Sequence, residues 1–212
     1  MAAWKAWRVP KLVDHEERRR QIAEAVWRIA ARSGLESVTL RQVAAEAGFS
    51  MRLVQYYFTA KQQMLLFALR HLHEVSGERA RRRLLGDART PTPREILRAV
   101  LEEMLPLDEE RRTALLVHLA YFVRSVEDPE LAEVFLGEPG ELEEFVAGVI
   151  RDAQRAGDAP GRLDAGREAD ILVSGVVGLG MDVVQGRRTM EDVMATLDYH
   201  IERIIPAAST TG

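Results

Sequence analysis

Residues 39–61, TLRQVAAEAGFSMRLVQYYFTAK, decide how the rest of this 212-residue chain is read. Thr39 opens a capping box with Gln42, and Leu40, Val43, Ala44 and Ala47 recur at helical spacing until Gly48. Ser50 caps a second short helix running to Phe58, and Thr59 with Gln62 forms another capping box for a long third one. Two helices that cross closely need a small residue at the contact, a turn residue tolerant of positive φ, and a branched apolar anchor on the second helix. Ala44, Gly48 and Val54 supply these in order, with Val43, Ala47 and Phe49 as further packing groups. The stretch predicts a helix-turn-helix, with an ordinary helical hairpin as the alternative.

Helical geometry sorts the second helix. With Met51 at zero and about 100° per residue, Gln55 falls near about 40°, Arg52 about 100° and Tyr56 about 140°. Val54 and Phe58 fall on the far side and belong to the core, with Leu53 and Tyr57 on the flank. A guanidinium pairs bidentately with guanine and a carboxamide with adenine in the major groove, so Arg52 and Gln55 are candidate base contacts. Met51 and Leu53 suit thymine methyls. Thr39, Tyr56, Tyr57 and Lys61 suit backbone phosphates. The structural alternatives are Tyr57 packing the head and Lys61 as a solvated neighbour of the cap.

Charge points to the same partner. Residues 1–61 hold 11 Lys and Arg against 6 Asp and Glu, whereas the whole chain carries −4. A basic front on an acidic remainder is the footprint of a polyanion bound at one end, with chance segregation of surface charge as the alternative. Lys5, Arg8 and Lys11 beside Trp4 and Trp7 form an arm at residues 1–13 that follows a groove, stays disordered or contacts a partner. The run Arg79 and Arg81 to Arg83 suits the C-terminal end of a helix dipole better than a ligand.

The remaining sequence is a series of 3.6-period segments, and nothing reads as a strand. Helices are expected at 14–33, 39–47, 50–58, 59–83, 95–105, 109–126, 129–136, 139–156, 167–186 and 190–205. Thr92, Pro93 and Glu95 mark one start as cap, first-turn proline and third-position glutamate. The expected fold is all-α: a compact three-helix head at 14–61, a larger helical body at 62–205, about nine helices together, and a flexible tail at 206–212. Zero cysteines exclude a disulfide framework and thiol chemistry. The longest apolar run, Ile171 to Met181, contains three glycines and is too short to span a bilayer. The front of the chain lacks a secretory apolar segment, so a cytoplasmic location is expected.

Ser174, Gly175 and Gly178 let helices approach closely. With Leu172, Val176, Leu179 and Val183, and with Val193, Leu197, Ile201 and Ile204 on the last helix, they suggest a four-helix contact between two copies. A monomer burying the same residues internally is the alternative. GVVGLG is not a dinucleotide loop, because no strand precedes it. His71 and His73 lack the spacing of metal ligands, and no catalytic constellation is present. No metal or cofactor is expected.

On the stretch from the first helix through Gly34, TLRQVAAEAGFS, YYFTAK and the leucine-rich fourth helix, residues 14–65 resemble the TetR family of transcriptional repressors. Gln55 departs from the pattern, where many members carry tyrosine, so base preference does not carry over. The resemblance implies that the third helix is the recognition helix and that the fourth links head to body. It further implies a homodimer on a palindromic operator and a small-molecule effector held in the body. Met104, His118, Phe122, Phe145 and Met181 are the candidate effector residues, as large or polarisable groups recurring on inward faces; a filled core, with His118 a satisfied core histidine, is the alternative. EADILVSGVVGLGMDVVQGRRTMEDVMATLDYHIERII is similar to the choline-responsive betaine regulators. A helical enzyme or carrier, or a protein-binding module, are the alternatives.

Overall fold

The computed structural model describes residues 15–85, 90–136 and 140–207. The expected arm at 1–13 and the tail from 208 onward lie outside the described residues, while Ala207 donates its backbone N–H to Glu202 at 3.1 Å. Ten α-helices and no strand occur among the described residues. They are α1 His15–Ser33, α2 Leu40–Ala47, α3 Met51–Tyr57, α4 Lys61–Leu85, α5 Pro93–Glu103, α6 Glu109–Ser125, α7 Pro129–Leu136, α8 Glu141–Ala156, α9 Ala165–Val184 and α10 Met190–Ile204. A short 3-10 turn, Leu35–Ser37, that the periodicity did not show follows Gly34, which sits at φ 75°. No helix among them is long and apolar enough to cross a membrane.

Local chemistry fixes most helix starts. Thr92 and Glu95 form the reciprocal cap expected of them, with Pro93 at the first position of α5. Thr189 and Asp192 form a second one on α10, with aspartate in place of the usual glutamate. Two expected boxes are corrected. Thr39 accepts from the Gln42 N–H, yet the Gln42 carboxamide oxygen binds the Thr39 hydroxyl instead of the cap backbone. The Thr59 hydroxyl donates to Gln63, and Gln62 leaves its own helix end to donate to Asp128 at 3.2 and 3.3 Å.

Apolar burial collects into two cores. The first joins α1, α2, α3 and the first half of α4 around Ile22, Val26, Val43, Val54, Phe58 and Leu69, and it includes Val117 and Tyr121 of α6 and Leu131 of α7. The head therefore does not close on residues 14–61 alone. Tyr121 is fully buried, and its hydroxyl donates to the Leu65 carbonyl at 2.8 Å. Burial pushes that phenol upward, so it stays protonated. Trp27 fastens α1 to α4 through its indole N–H and the Ala68 carbonyl, 2.9 Å apart.

The second core belongs to α5, α8, α9 and α10. Six residues expected at a contact between two copies, Leu172, Val176, Val193, Leu197, Ile201 and Ile204, lie instead inside this core. Their spacing recorded burial within one subunit. Ser174, Gly175 and Gly178 are exposed on the opposite side of α9, and Leu179 and Val183 are partly buried against the core. Ile171 and Tyr199, which periodicity did not single out, stand 66% exposed on α9 and α10. A polar layer joins α4 to the body. Arg79 and Arg111 meet Glu103 at 2.5 and 3.1 Å, and Arg83 and Arg98 meet Glu102. Part of the arginine run thus pairs with buried carboxylates and does more than serve the dipole.

Candidate nucleic-acid interface

The turn between α2 and α3 is set by Gly48 at φ 70°, ψ 27°, in the left-handed region where a side chain is strained. The Phe49 N–H donates to the Ala44 carbonyl at 2.9 Å and closes the end of α2. Ser50 caps α3 by accepting from the Leu53 N–H at 3.2 Å. Ala44 and Val54 are buried where the helices cross, and Phe58 is buried with its ring 5.4 Å from that of Phe67.

With that side anchored, the opposite face of α3 is directed outward. Arg52, Gln55, Met51 and Tyr56 are exposed, Tyr56 by 69%, and Leu53 is half-buried. Arg52 and Gln55 form no hydrogen bond or ion pair with the described residues. Arginines of α1 are engaged in contrast. Arg28 and Arg32 grip Glu46 of α2 at 2.9 and 3.1 Å, and their hydrogen bonds hold its carboxyl below the ordinary glutamate value. Arg18 lies over the Phe49 ring at 5.0 Å, and Arg19 over those of Phe67 and Phe58.

The four candidate phosphate residues differ in freedom. Thr39 is exposed while capping α2. The Lys61 ammonium donates to the Leu35 carbonyl at 3.3 Å and ties the start of α4 to the 3-10 turn. Tyr57 packs its ring against the head core and brings its hydroxyl within 3.1 Å of His15 Nδ1. His15 went unnoticed in the sequence, because it lies 42 positions away in the chain with no motif to mark it.

Comparison with known proteins gives this arrangement its setting. Residues 22–68 match the model of bacterial regulatory proteins of the tetR family, and residues 93–206 match that of the BetI-type transcriptional repressor C-terminal domain. The chain belongs to the TetR family. This TetR-family chain is 35% identical to the HTH-type transcriptional regulator PksA of Bacillus subtilis over 53% of its own length and 54% of that protein's. It is 31% identical to the regulator BetI 1 of Chromohalobacter salexigens over 58% of its length and 60% of the relative's. The chain thus spans a little over half of these curated relatives. Among solved structures, a regulator from Saccharomonospora viridis in complex with choline superposes with a TM-score of 0.79 at 29% identity, covering 90% of this chain and 98% of that one. Both matched family models describe transcriptional regulators, and the curated relatives are HTH-type transcriptional regulators.

In the TetR body the candidate effector residues are dispersed. Met104 packs partly buried against the second core, and Met181 is half-buried. His118 lies with its ring 4.6 Å from that of Phe135. Burial, helped by the nearby His73, pushes it down to about 4 and keeps it neutral at pH 7. Phe122 and Phe145 are 53% and 51% exposed, which removes them from the inward faces assigned to them. None of the five lines the groove between α5 and α10 or the smaller one between α4 and α5.

Proposed function

We propose that this TetR-family regulator acts in the cytoplasm as a homodimer that binds a palindromic operator through two copies of α3 and leaves it when a small molecule occupies the body. The observation that carries the reading is the division of α3. Val54 and Phe58 are buried on one side, and Arg52 and Gln55 are exposed on the other with no side-chain bond to the described residues. A recognition helix in a major groove needs that division. Arg52 and Gln55, with Met51 and Leu53, read bases; Thr39, Tyr56, Tyr57 and Lys61 contact phosphates. Lys61 does so with a proton not given to Leu35, since an ammonium has three.

The dimer uses the surface of α9 and α10 left outside the second core: Ile171, Ser174, Gly175, Gly178 and Tyr199. Two large apolar side chains exposed beside a strip without bulky groups fit a close isologous contact between like helices. The effector acts near His118 of α6, whose neutral imidazole faces the Phe135 ring of α7 at 4.6 Å. Choline is the first compound to test, because the Saccharomonospora viridis relative binds it.

The test starts with genomic DNA fragments protected by the purified protein. Arg52→Ala lowers affinity for such a fragment by roughly 1–3 kcal/mol and relaxes selectivity at one base pair in each half-site. Weakening that is equal on operator and random DNA overturns Arg52 as a base reader. A monomeric protein on the operator overturns the dimer.

A further inference from the structure

The phenol of Tyr57 has one proton to give and is not alone. His15, the first described residue of α1, places Nδ1 at 3.1 Å from the hydroxyl oxygen. Three rings meet there: His15 lies 5.8 Å from Tyr57 and 6.3 Å from Tyr56, and the two tyrosines stand edge to face at 5.2 Å. The Tyr57 ring is fixed against the head core, so its hydroxyl is held at one place beside exposed Tyr56. A phosphate diester only accepts hydrogen bonds. If the phenolic proton went to His15, the oxygen would turn lone pairs towards a phosphate. If His15 donates, the proton is free.

We infer that His15 is a positioning residue for DNA binding: its Nδ1–H donates to the Tyr57 oxygen, and the phenolic proton is thereby aimed outward at a backbone phosphate. The inference rests on the reading of Tyr57 as a phosphate contact and adds the residue that orients it. His15 acts through Tyr57 and reads no base, so its effect is equal on operator and random duplex.

The experiment measures binding to a fluorescent mixed-sequence DNA duplex at low salt for the wild type, His15→Phe, His15→Asn, Tyr57→Phe and the double variant His15→Phe/Tyr57→Phe. Each phenylalanine variant weakens binding by about threefold to tenfold, the range of one hydrogen bond. The double variant is no weaker than Tyr57→Phe, because the imidazole acts through the phenol. His15→Asn, whose amide N–H reaches about where Nδ1–H did, recovers most of the loss, which a merely structural role would not give. Wild-type affinity in His15→Phe overturns the inference. So does a loss in the Tyr57→Phe background as large as in the wild type, or no recovery by asparagine. Failure of the wild type to bind duplex DNA would instead bring down the reading of the head itself. Melting curves confirm that each variant is folded, and His15→Asn keeps the test decisive should His15→Phe not be.

Discussion

Glu46 holds α2, the first helix of the helix-turn-helix, against α1 by accepting from Arg28 and Arg32. These hydrogen bonds lower its pKa from 4.5, with the opposing desolvation a lesser effect. A carboxyl depressed on folding contributes stability above its unfolded value, and that contribution is lost as pH falls through the folded one. Glu46→Gln therefore lowers stability at pH 7 by up to about 1 kcal/mol, as befits a partly exposed pair. The gap between variant and wild type narrows as melts are taken below pH 4.5 and closes once the pH is below the folded value; a gap that persists there would show that packing, and not charge, is responsible. Arg52, Gln55 and Tyr56 were legible at this scale because one helix period sorts them. His15 and the Lys61 bond to Leu35 were not, since their partners lie 42 and 26 positions away.

At the scale of elements, α9 carries two glycines of opposite use. A Cβ on Gly180 would stand 3.0 Å from Leu115 Cδ2 and 3.4 Å from Pro106 Cδ, so this glycine admits α6 and the loop before it. Gly178 has nothing within 4 Å of that position. Gly180→Leu overpacks the contact and lowers subunit stability by roughly 1–3 kcal/mol. Gly178→Leu leaves the subunit folded and abolishes the proposed dimer, which sedimentation at rising concentration detects; a dimeric Gly178→Leu protein would rule out that face. The composition of α9 announced close packing without saying which glycine faced which neighbour. The same limit applies to Leu172, Val193 and Ile201, because apolar spacing gives an inward face but not whether inward means the subunit or its mate.

For the whole molecule, the feature that matters most is that α6 and α7 pack into the head's core. Asp128 sits at that junction. It caps α7 by accepting from the Leu131 N–H at 3.1 Å, accepts from Gln62 of α4, and faces Arg124, which reaches Glu36 at 3.6 Å. A ligand between α6 and α7 would act on α4 through this corner. Asp128→Ala lowers the melting temperature by the equivalent of about 0.5–2 kcal/mol, the worth of a helix cap. It also reduces the effect of a bound effector on DNA affinity. An unchanged effector response with an intact fold would place the coupling elsewhere, the Arg79, Glu103 and Arg111 layer being next in line.

The order and type of the helices, the turn at Gly48 and the outward face of α3 were determined by the sequence alone, because each rests on residues within one or two turns of one another. The union of head and α6–α7 core, the inward fate of six apolar residues on α9 and α10, and the pairing of His15 with Tyr57 were decided only in three dimensions. Side chains far apart in the chain meet where packing of whole helices brings them, and no local period encodes that meeting.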